Sequence, residues 1–258
     1  MKALRVRLLG VAAAILLIGS ACAAFAQTSK PVVLALYSSN VEGDHVDFAK
    51  QAIAFYTRMA AERGFTFEAS TDWEALKTAQ PSQTRLILWL NDSPHSEEQR
   101  RGFERYMEAG GAWLGFHAAG YNDAETHWPW FVKFFGGAVF YSNNWPPLPA
   151  DLTVDDGKQA ITQGLPHAFR APANEWYIWK PNPRGNPKVR VLLTLDPGNY
   201  PLGLKDTLTA GDLPVVWTNT DYRMIYMNMG HGDKIFDSPT QNRLFENAVL
   251  WLIGPRAK

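Results

Sequence analysis

The stretch GAWLGFHAAGYN, residues 111–122, predicts a buried strand that runs into a tight turn with a histidine at its apex. The residues around His117 are small, as in a nucleophile elbow, where a sharp strand-to-helix turn lifts the apex side chain into a pocket. A serine or cysteine is usual at such an apex. An imidazole there can act as a general acid or base near neutral pH, or as a metal ligand. The alternative is a histidine that is hydrogen-bonded in the core.

Apolar runs and helical patterns alternate before this turn. Strands are predicted at 32–37, 65–70, 85–90 and 112–116, with helices at 44–63, after Asp72 and at 96–109. Unbroken apolar strands that alternate with helices are typical of a parallel sheet covered on both faces. We therefore predict an α/β fold with a mostly parallel central sheet.

The chain changes character in its second half. Residues 127–187 are rich in aromatic residues and proline, and we expect long loops there, which in a compact domain are often functional. Further strands are predicted at 189–196, 214–220 and 224–230, and a last helix at 240–252. The stretch VVWTNTDYRMIYM resembles a hairpin, so the sheet is expected to be antiparallel at one edge.

The N-terminal segment, residues 1–26, has the order of a secretory signal peptide. Three basic residues precede an apolar run at 8–18 and a small-residue cleavage site at 24–26. The run is shorter than the roughly 18–20 residues of a bilayer span. We expect cleavage before Gln27 and export to the periplasm or the medium. Lipidation of Cys22 is the less favoured alternative, because no large aliphatic residue stands third before it.

Composition narrows the function further. The chain has 25 Lys+Arg and 25 Asp+Glu, and removal of the three basic residues of the signal leaves 22 against 25, which does not favour nucleic acid or a membrane surface as a partner. Cys22 is the one cysteine, so the processed chain would lack disulfides and a cysteine nucleophile. No Gly-rich dinucleotide turn follows the first strand, so no organic cofactor is predicted, and a divalent metal stays open. Residues 32–254 are predicted to form one domain, and homo-oligomerisation stays open.

Polar residues follow four of the predicted strands. They are His45, Asn91, His117 and His231. Ligands in open α/β sheets bind outside the carboxyl ends of the strands, so we expect these residues at one edge. His231 lies between two glycines, which let a backbone approach a ligand but also simply make a turn. Glu175 stands among large apolar side chains, where partial burial would raise its pKa and suit a general acid. A surface glutamate is the alternative.

Aromatic residues of the proline-rich region raise the question of sugar binding, because flat rings stack on the C–H faces of sugars. Trp145, Trp176, Tyr177 and Trp179 are the candidates, and Asn174 beside them adds an amide. We assign the tryptophans in strands and in the last helix to the core, namely Trp89, Trp113, Trp217 and Trp251.

Taken in order, these motifs resemble the ThuA-like (trehalose-utilisation) family. The likeness rests on Gly-Phe-His-Ala-Ala after a Gly-Gly strand entry, on Asn-Glu-Trp-Tyr at 174–177, and on Pro-Val-Val-Trp at 214–217 leading to Met-Gly-His at 229–231. It implies a flavodoxin-like fold similar to class I glutamine amidotransferases, with His117 at the position of their cysteine and with His231 and Glu175 near it. The family's link to trehalose and related disaccharides through 3-keto sugars implies a carbohydrate substrate.

Three functions follow as hypotheses. The first is an exported enzyme that acts on a disaccharide or 3-keto sugar by hydrolysis, elimination or isomerisation. Its catalytic groups are His117, Glu175 and His231, and its predicted substrate-binding residues are His45, Asn91, Trp145, Asn174, Trp176 and Tyr177. The second is a metal-dependent hydrolase with His45, His117 and His231 as ligands, which convergence of the three histidine nitrogens on a point about 2 Å away would favour. The third is a carbohydrate-binding protein without catalysis.

Overall fold

The computed structural model describes residues 30–123, 125–199, 202 and 211–255. The predicted signal peptide lies outside the described residues. The helices are α1 (Gly43–Arg63), α2 (Glu97–Glu108), α3 (Pro129–Phe134) and α4 (Pro239–Ile253). The strands are β1 (Val32–Leu36), β2 (Thr66–Ser70), β3 (Leu86–Trp89), β4 (Ala112–Phe116), β5 (Phe140–Asn143), β6 (Leu148–Val154), β7 (Ala168–Asn174), β8 (Tyr177–Trp179), β9 (Val189–Leu195), β10 (Pro214–Asn219) and β11 (Arg223–Met227).

One half of the main sheet is parallel. Its strands lie in the order β2-β1-β3-β4-β11, and every neighbouring pair is parallel. Strands β3 and β4 are buried along their whole length because helices cover both faces. Helices α1 and α4 pack on one face, and α2 and α3 pack on the other. This is the flavodoxin-like order, and it confirms the predicted α/β class.

Local signals in the sequence explain where the helices begin and end. Gly64 adopts a left-handed conformation with φ of 77° and ends α1. Ser96 accepts a hydrogen bond from the backbone of Gln99, whose side chain bonds back to the start of α2, so the predicted capping box is present. In the part of the chain that is described, no helix combines the length and the hydropathy that a bilayer span requires.

The other half of the sheet is antiparallel and larger than the predicted edge. The hairpin of β10 and β11 is confirmed, and β9, β6 and β7 extend the sheet beyond it. Strands β5 and β8 pair separately as a two-stranded sheet. The expectation of long loops over 127–187 was therefore wrong for much of that region. Register shifts interrupt three of the pairings that involve β5–β9. Strands β5 and β8 are short, and β6 and β7 are interrupted by polar residues and a proline each, so only β9 of this group has the apolar run that predicts a strand.

Candidate functional site

The carboxyl ends of the parallel strands meet at one edge and bring the strand-end residues together. His45 lies near the start of α1, after β1, and Asn91 follows β3. His117 follows β4 directly, and His231 comes four residues after β11. These strands are neighbours in the sheet, so side chains far apart in sequence share one site.

His117 is held in a defined orientation by its backbone and by its ring. Its φ of 41° is left-handed, and the side chain is fully buried. Its Nδ1 lies 2.9 Å from the carbonyl oxygen of Asn228. A carbonyl only accepts, so Nδ1 carries the proton and Nε2 carries a free lone pair when the imidazole is neutral. The hydroxyl of Tyr226 donates to the carbonyl of His117 at 3.0 Å, which fixes the turn as well.

Three imidazoles and one carboxylate form a compact group, which we call the histidine–glutamate cluster: His45, His117, Glu175 and His231. One ligand atom from each lies within 4.8 Å of the others, and the ring centroids of the histidines are 5.1–5.5 Å apart. Among the described residues, the Nε2 atoms of all three histidines are buried and have no hydrogen-bond partner. Buried polar atoms are nearly always satisfied, so a ligand is the natural partner for these three.

Burial favours the neutral form of the imidazoles of His45 and His117. Burial, followed by the neighbouring His117 and His231, lowers the pKa of His45 from 6.5 to about 4. Burial also lowers the pKa of His117 well below its ordinary value of 6.5, and His231 acts in the same direction. Neutral imidazoles with free lone pairs are the form that binds metal ions.

The carboxylate of Glu175 faces His117, and a neighbouring amide orients it. Its Oε2 lies 3.4 Å from His117 Nε2, and its side chain is 14% exposed. The amide of Asn143 donates to its other oxygen. Two lone-pair atoms face each other across the 3.4 Å contact, which is favourable only when a proton or a cation lies between them.

A second layer of amides fixes the turn that carries His231. Asn174 Oδ1 accepts hydrogen bonds from the backbone N–H groups of Gly230 and His231, each at 3.1 Å. Its amide nitrogen donates to the carbonyl of Asn228 at 3.1 Å. The predicted role of Asn174 in substrate binding therefore competes with an observed structural role, because it is fully buried and bonded to backbone.

Two carboxylates approach the cluster from the start of α1: Glu42 precedes the helix, and Asp44 lies in its first turn. Glu42 Oε1 lies 3.5 Å from His231 Nε2, and Glu42 Oε2 lies 3.8 Å from His45 Nε2. Asp44 Oδ2 lies 3.5 Å from His231 Nδ1. Both acidic side chains are about half exposed. Neither carboxylate was predicted from the sequence, and the signal available for both was their position in the segment between β1 and α1. Asn143, the last residue of β5, was not predicted either.

The other predicted site residues occupy different positions. Asn91 is buried and bonds to the backbone of Ser38 and His45, so it joins two loops. Tyr177 packs its ring 4.1 Å from that of His117. Trp176 is fully buried and donates to the carbonyl of Leu148, so the suggestion that it could stack on a sugar was wrong.

The remaining tryptophans divide between the core and the surface. Trp179 is 4% exposed, so the suggestion that it could stack on a sugar was wrong. Trp145 is 45% exposed and available to a ligand. Trp89, Trp113 and Trp217 lie in the core as predicted, and Trp251 is partly buried.

Fold and site together define an α/β protein with a cluster of three histidines and one glutamate at the carboxyl edge of its parallel strands. The chain belongs to the ThuA-like family, because the family model described as "ThuA: Trehalose utilisation" matches residues 33–252. It is 49% identical to a ThuA-like protein of known structure from Bacteroides uniformis, with a TM-score of 0.82 over 90% of this chain and 94% of that one.

More distant likenesses concern the fold alone. A ThuA-like protein from Parabacteroides merdae is 17% identical, with a TM-score of 0.63 over 87% of this chain and 90% of that one. A GH42 β-galactosidase from G. stearothermophilus is 14% identical, with a TM-score of 0.52 over 86% of this chain and 30% of that one. No functionally curated protein gives a significant sequence match.

Proposed function

We propose that this chain is an exported, metal-dependent enzyme that acts on a disaccharide or 3-keto sugar. The observation that carries the proposal is the convergence of three buried, unpartnered imidazole Nε2 atoms with a glutamate oxygen. Three histidines and one carboxylate are a donor set suited to zinc, manganese or iron. Atoms that share an ion at about 2.1 Å lie roughly 3–4 Å apart, so small side-chain rotations bring the four donors to one ion.

The surroundings of the histidine–glutamate cluster support a metal centre. Metal-binding histidines usually donate their second ring N–H to a carbonyl or carboxylate, which fixes the tautomer. His117 does so toward Asn228. A cation would also relieve the facing lone pairs of His117 and Glu175. The lowered pKa values of His45 and His117 favour the same outcome, since these two imidazoles need lose no proton to bind a metal ion.

Sugar as the substrate class is supported by the family and by two exposed aromatic residues close in sequence to residues of the site. The description of the family, trehalose utilisation, names a disaccharide. Tyr121 and Trp145 are both exposed large aromatic residues. Trp145 is two residues from Asn143, which holds Glu175. Rings in such positions can stack on the apolar face of a sugar while the cluster meets its oxygens.

The chemistry that fits is proton transfer next to a carbonyl group. A bound divalent ion supplies Lewis-acid polarisation of a keto or hydroxyl oxygen. Glu42 is not one of the four donors, but its carboxylate oxygens lie 3.5 Å and 3.8 Å from the Nε2 atoms of His231 and His45. Its carboxylate can therefore accept the proton from the carbon beside the keto group. The C–H electron pair forms the new C=C bond, the glycosidic C–O bond breaks, and the leaving oxygen takes the proton back from the Glu42 carboxyl. Trp145 and Tyr121 would hold the sugar rings of the substrate during this elimination.

A second candidate is acid–base catalysis by His117 and Glu175 without a metal. The observation that favours it is their 3.4 Å contact, with the lone pair of His117 Nε2 free to accept a proton. In this case His117 is the base, and Glu175 must carry a proton before it can protonate the leaving oxygen.

Metal analysis combined with turnover tests both candidates. The purified protein is expected to hold one divalent ion per chain, to lose turnover of a 3-keto disaccharide on chelation, and to regain it with the ion. His117→Ala should lose the ion, whereas His167→Ala, at an exposed histidine between β6 and β7, should keep it. Full turnover in a chelator would leave the acid–base candidate standing. If no keto sugar is turned over under any of these conditions, the third hypothesis, a carbohydrate-binding protein without catalysis, is favoured.

A further inference from the structure

A cavity separate from the histidine–glutamate cluster opens at the carboxyl ends of β1, β2 and β3. Its volume is about 440 Å³, within the roughly 300–1,000 Å³ of small-molecule sites. It lies where the strand order reverses, since β2 lies on one side of β1 and β3 lies on the other. Such a switch point is where open α/β sheets bind ligands. The lining residues are Ser38, Ser39, Asn40, Val41, Thr71, Asp92 and His95.

The lining is polar and held in place by its own hydrogen bonds. Asp92 Oδ2 accepts from the hydroxyl of Ser38 and lies 2.8 Å from His95 Nε2. The indole N–H of Trp73 donates to the Ser38 hydroxyl at 3.3 Å. Asp92 is mostly buried, whereas the His95 side chain is 67% exposed and can reach a ligand. Part of this hydrogen-bonding surface is therefore rigid before any ligand arrives.

The charge of the lining indicates the kind of ligand. Among the described residues that line the cavity, none is lysine or arginine, and Asp92 repels anions. Phosphate-bearing ligands are therefore disfavoured. Hydroxyl, amide, imidazole and carboxylate groups together offer both donors and acceptors, which is what a neutral polyhydroxylated molecule requires.

The cavity and the histidine–glutamate cluster are joined by shared residues. Asn91 donates to the carbonyls of Ser38, which lines the cavity, and of His45, which belongs to the cluster. Asp92 of the cavity is the next residue along the chain. The loop after β1 likewise lines the cavity with residues 38–41 and then presents Glu42 to the cluster. A molecule bound at the cluster therefore has a polar cavity beside it.

We infer that this cavity is the subsite for the second sugar ring of a disaccharide whose first ring lies at the histidine–glutamate cluster. The inference rests on the proposed function, and it predicts that the protein binds disaccharides more tightly than monosaccharides. Asp92 accepts from ring hydroxyls, and His95 closes over the ring from the exposed side.

The test compares the affinity of the protein for trehalose and for glucose by calorimetry. The wild-type protein is expected to bind trehalose at least about tenfold more tightly, the effect of one or two hydrogen bonds. His95→Ala should remove most of that preference, whereas His167→Ala, the matched control, should retain it. In histidine-detected NMR, the His95 signal should move with trehalose and stay in place with glucose.

The outcomes separate the two proposals. Equal affinity for the two sugars, or a preference that survives His95→Ala, overturns the subsite and leaves the proposed function intact. Failure of both sugars to bind overturns the subsite, and turnover of a 3-keto disaccharide then decides the sugar part of the proposed function separately. A metal-free protein that still prefers trehalose, with the preference lost in His95→Ala, supports the subsite while contradicting the metal centre.

Discussion

Gly230→Ala should displace the side chains of the histidine–glutamate cluster although it replaces none of them. A Cβ at Gly230 would lie 2.6 Å from the Cβ of His117, whereas ordinary contacts begin at 3.4 Å, so His117 or the turn must move by about 1 Å. Overpacking of this kind costs about 1–3 kcal/mol of stability. A displacement of about 1 Å at a catalytic group can lower the rate about 100-fold. We expect turnover to fall by that factor and metal affinity to fall at least about tenfold.

Gly232→Ala is the matched control for this experiment. Both glycines flank His231 and both have a positive φ, 154° at Gly230 and 93° at Gly232, so both alanines strain the backbone. Nothing lies within 4 Å of a Cβ at Gly232. Competition for metal with a chromophoric chelator, alongside urea denaturation, separates the two effects. If Gly230→Ala binds metal and turns over substrate as well as Gly232→Ala does, the claim that the close packing at Gly230 positions His117 is refuted.

Three further predictions concern single residues. His117→Ala should lower turnover of a 3-keto disaccharide at least about 100-fold, as loss of an acid–base group or ligand does; turnover near the wild-type rate would make the histidine structural. The metal-free protein should lose about 3 kcal/mol of stability between pH 7.5 and 4 through His45, because the unfolded state takes up a proton below pH 6.5 and the folded state only near 4. Urea unfolding of His45→Gln at both pH values should show a smaller loss, and an unchanged loss would contradict this assignment. Asn174→Ala should cost about 2–4 kcal/mol in the same assay, since it leaves the N–H groups of Gly230 and His231 without an acceptor, and a cost below about 1 kcal/mol would show that water replaces it.

The parallel half of the fold was predictable because each of its signals is local. Unbroken apolar strands, the capping box at Ser96 and the glycine that ends α1 all act within a few residues. The turn at His117 was predictable for the same reason, since small neighbours permit its φ of 41°. The strand ends then placed three histidines at one edge by topology alone.

The rest depended on contacts that no local pattern contains. Strands β5 and β8 are short, β6 and β7 each contain a proline and polar residues, and register shifts interrupt the β5–β8 and β6–β7 pairings, so no unbroken apolar run indicates them. Trp176 looked accessible in a proline-rich stretch, yet its ring is buried in the core and its N–H bonds to Leu148. Asn228 stands inside an apolar run, and its role became visible only with the hydrogen bond from His117. A buried amide in such a run is the signal that could have indicated it.

Metal-edge X-ray absorption on the purified protein loaded with one equivalent of zinc or manganese tests the central claim most directly. The proposed metal centre predicts one ion per chain with three imidazole nitrogens and one carboxylate oxygen at about 2.0–2.2 Å. The imidazole signal should fall from three to two in His231→Ala and stay at three in His167→Ala. An ion that binds with fewer than three imidazoles, or with the same imidazole signal in His231→Ala as in the wild-type protein, would contradict the metal centre.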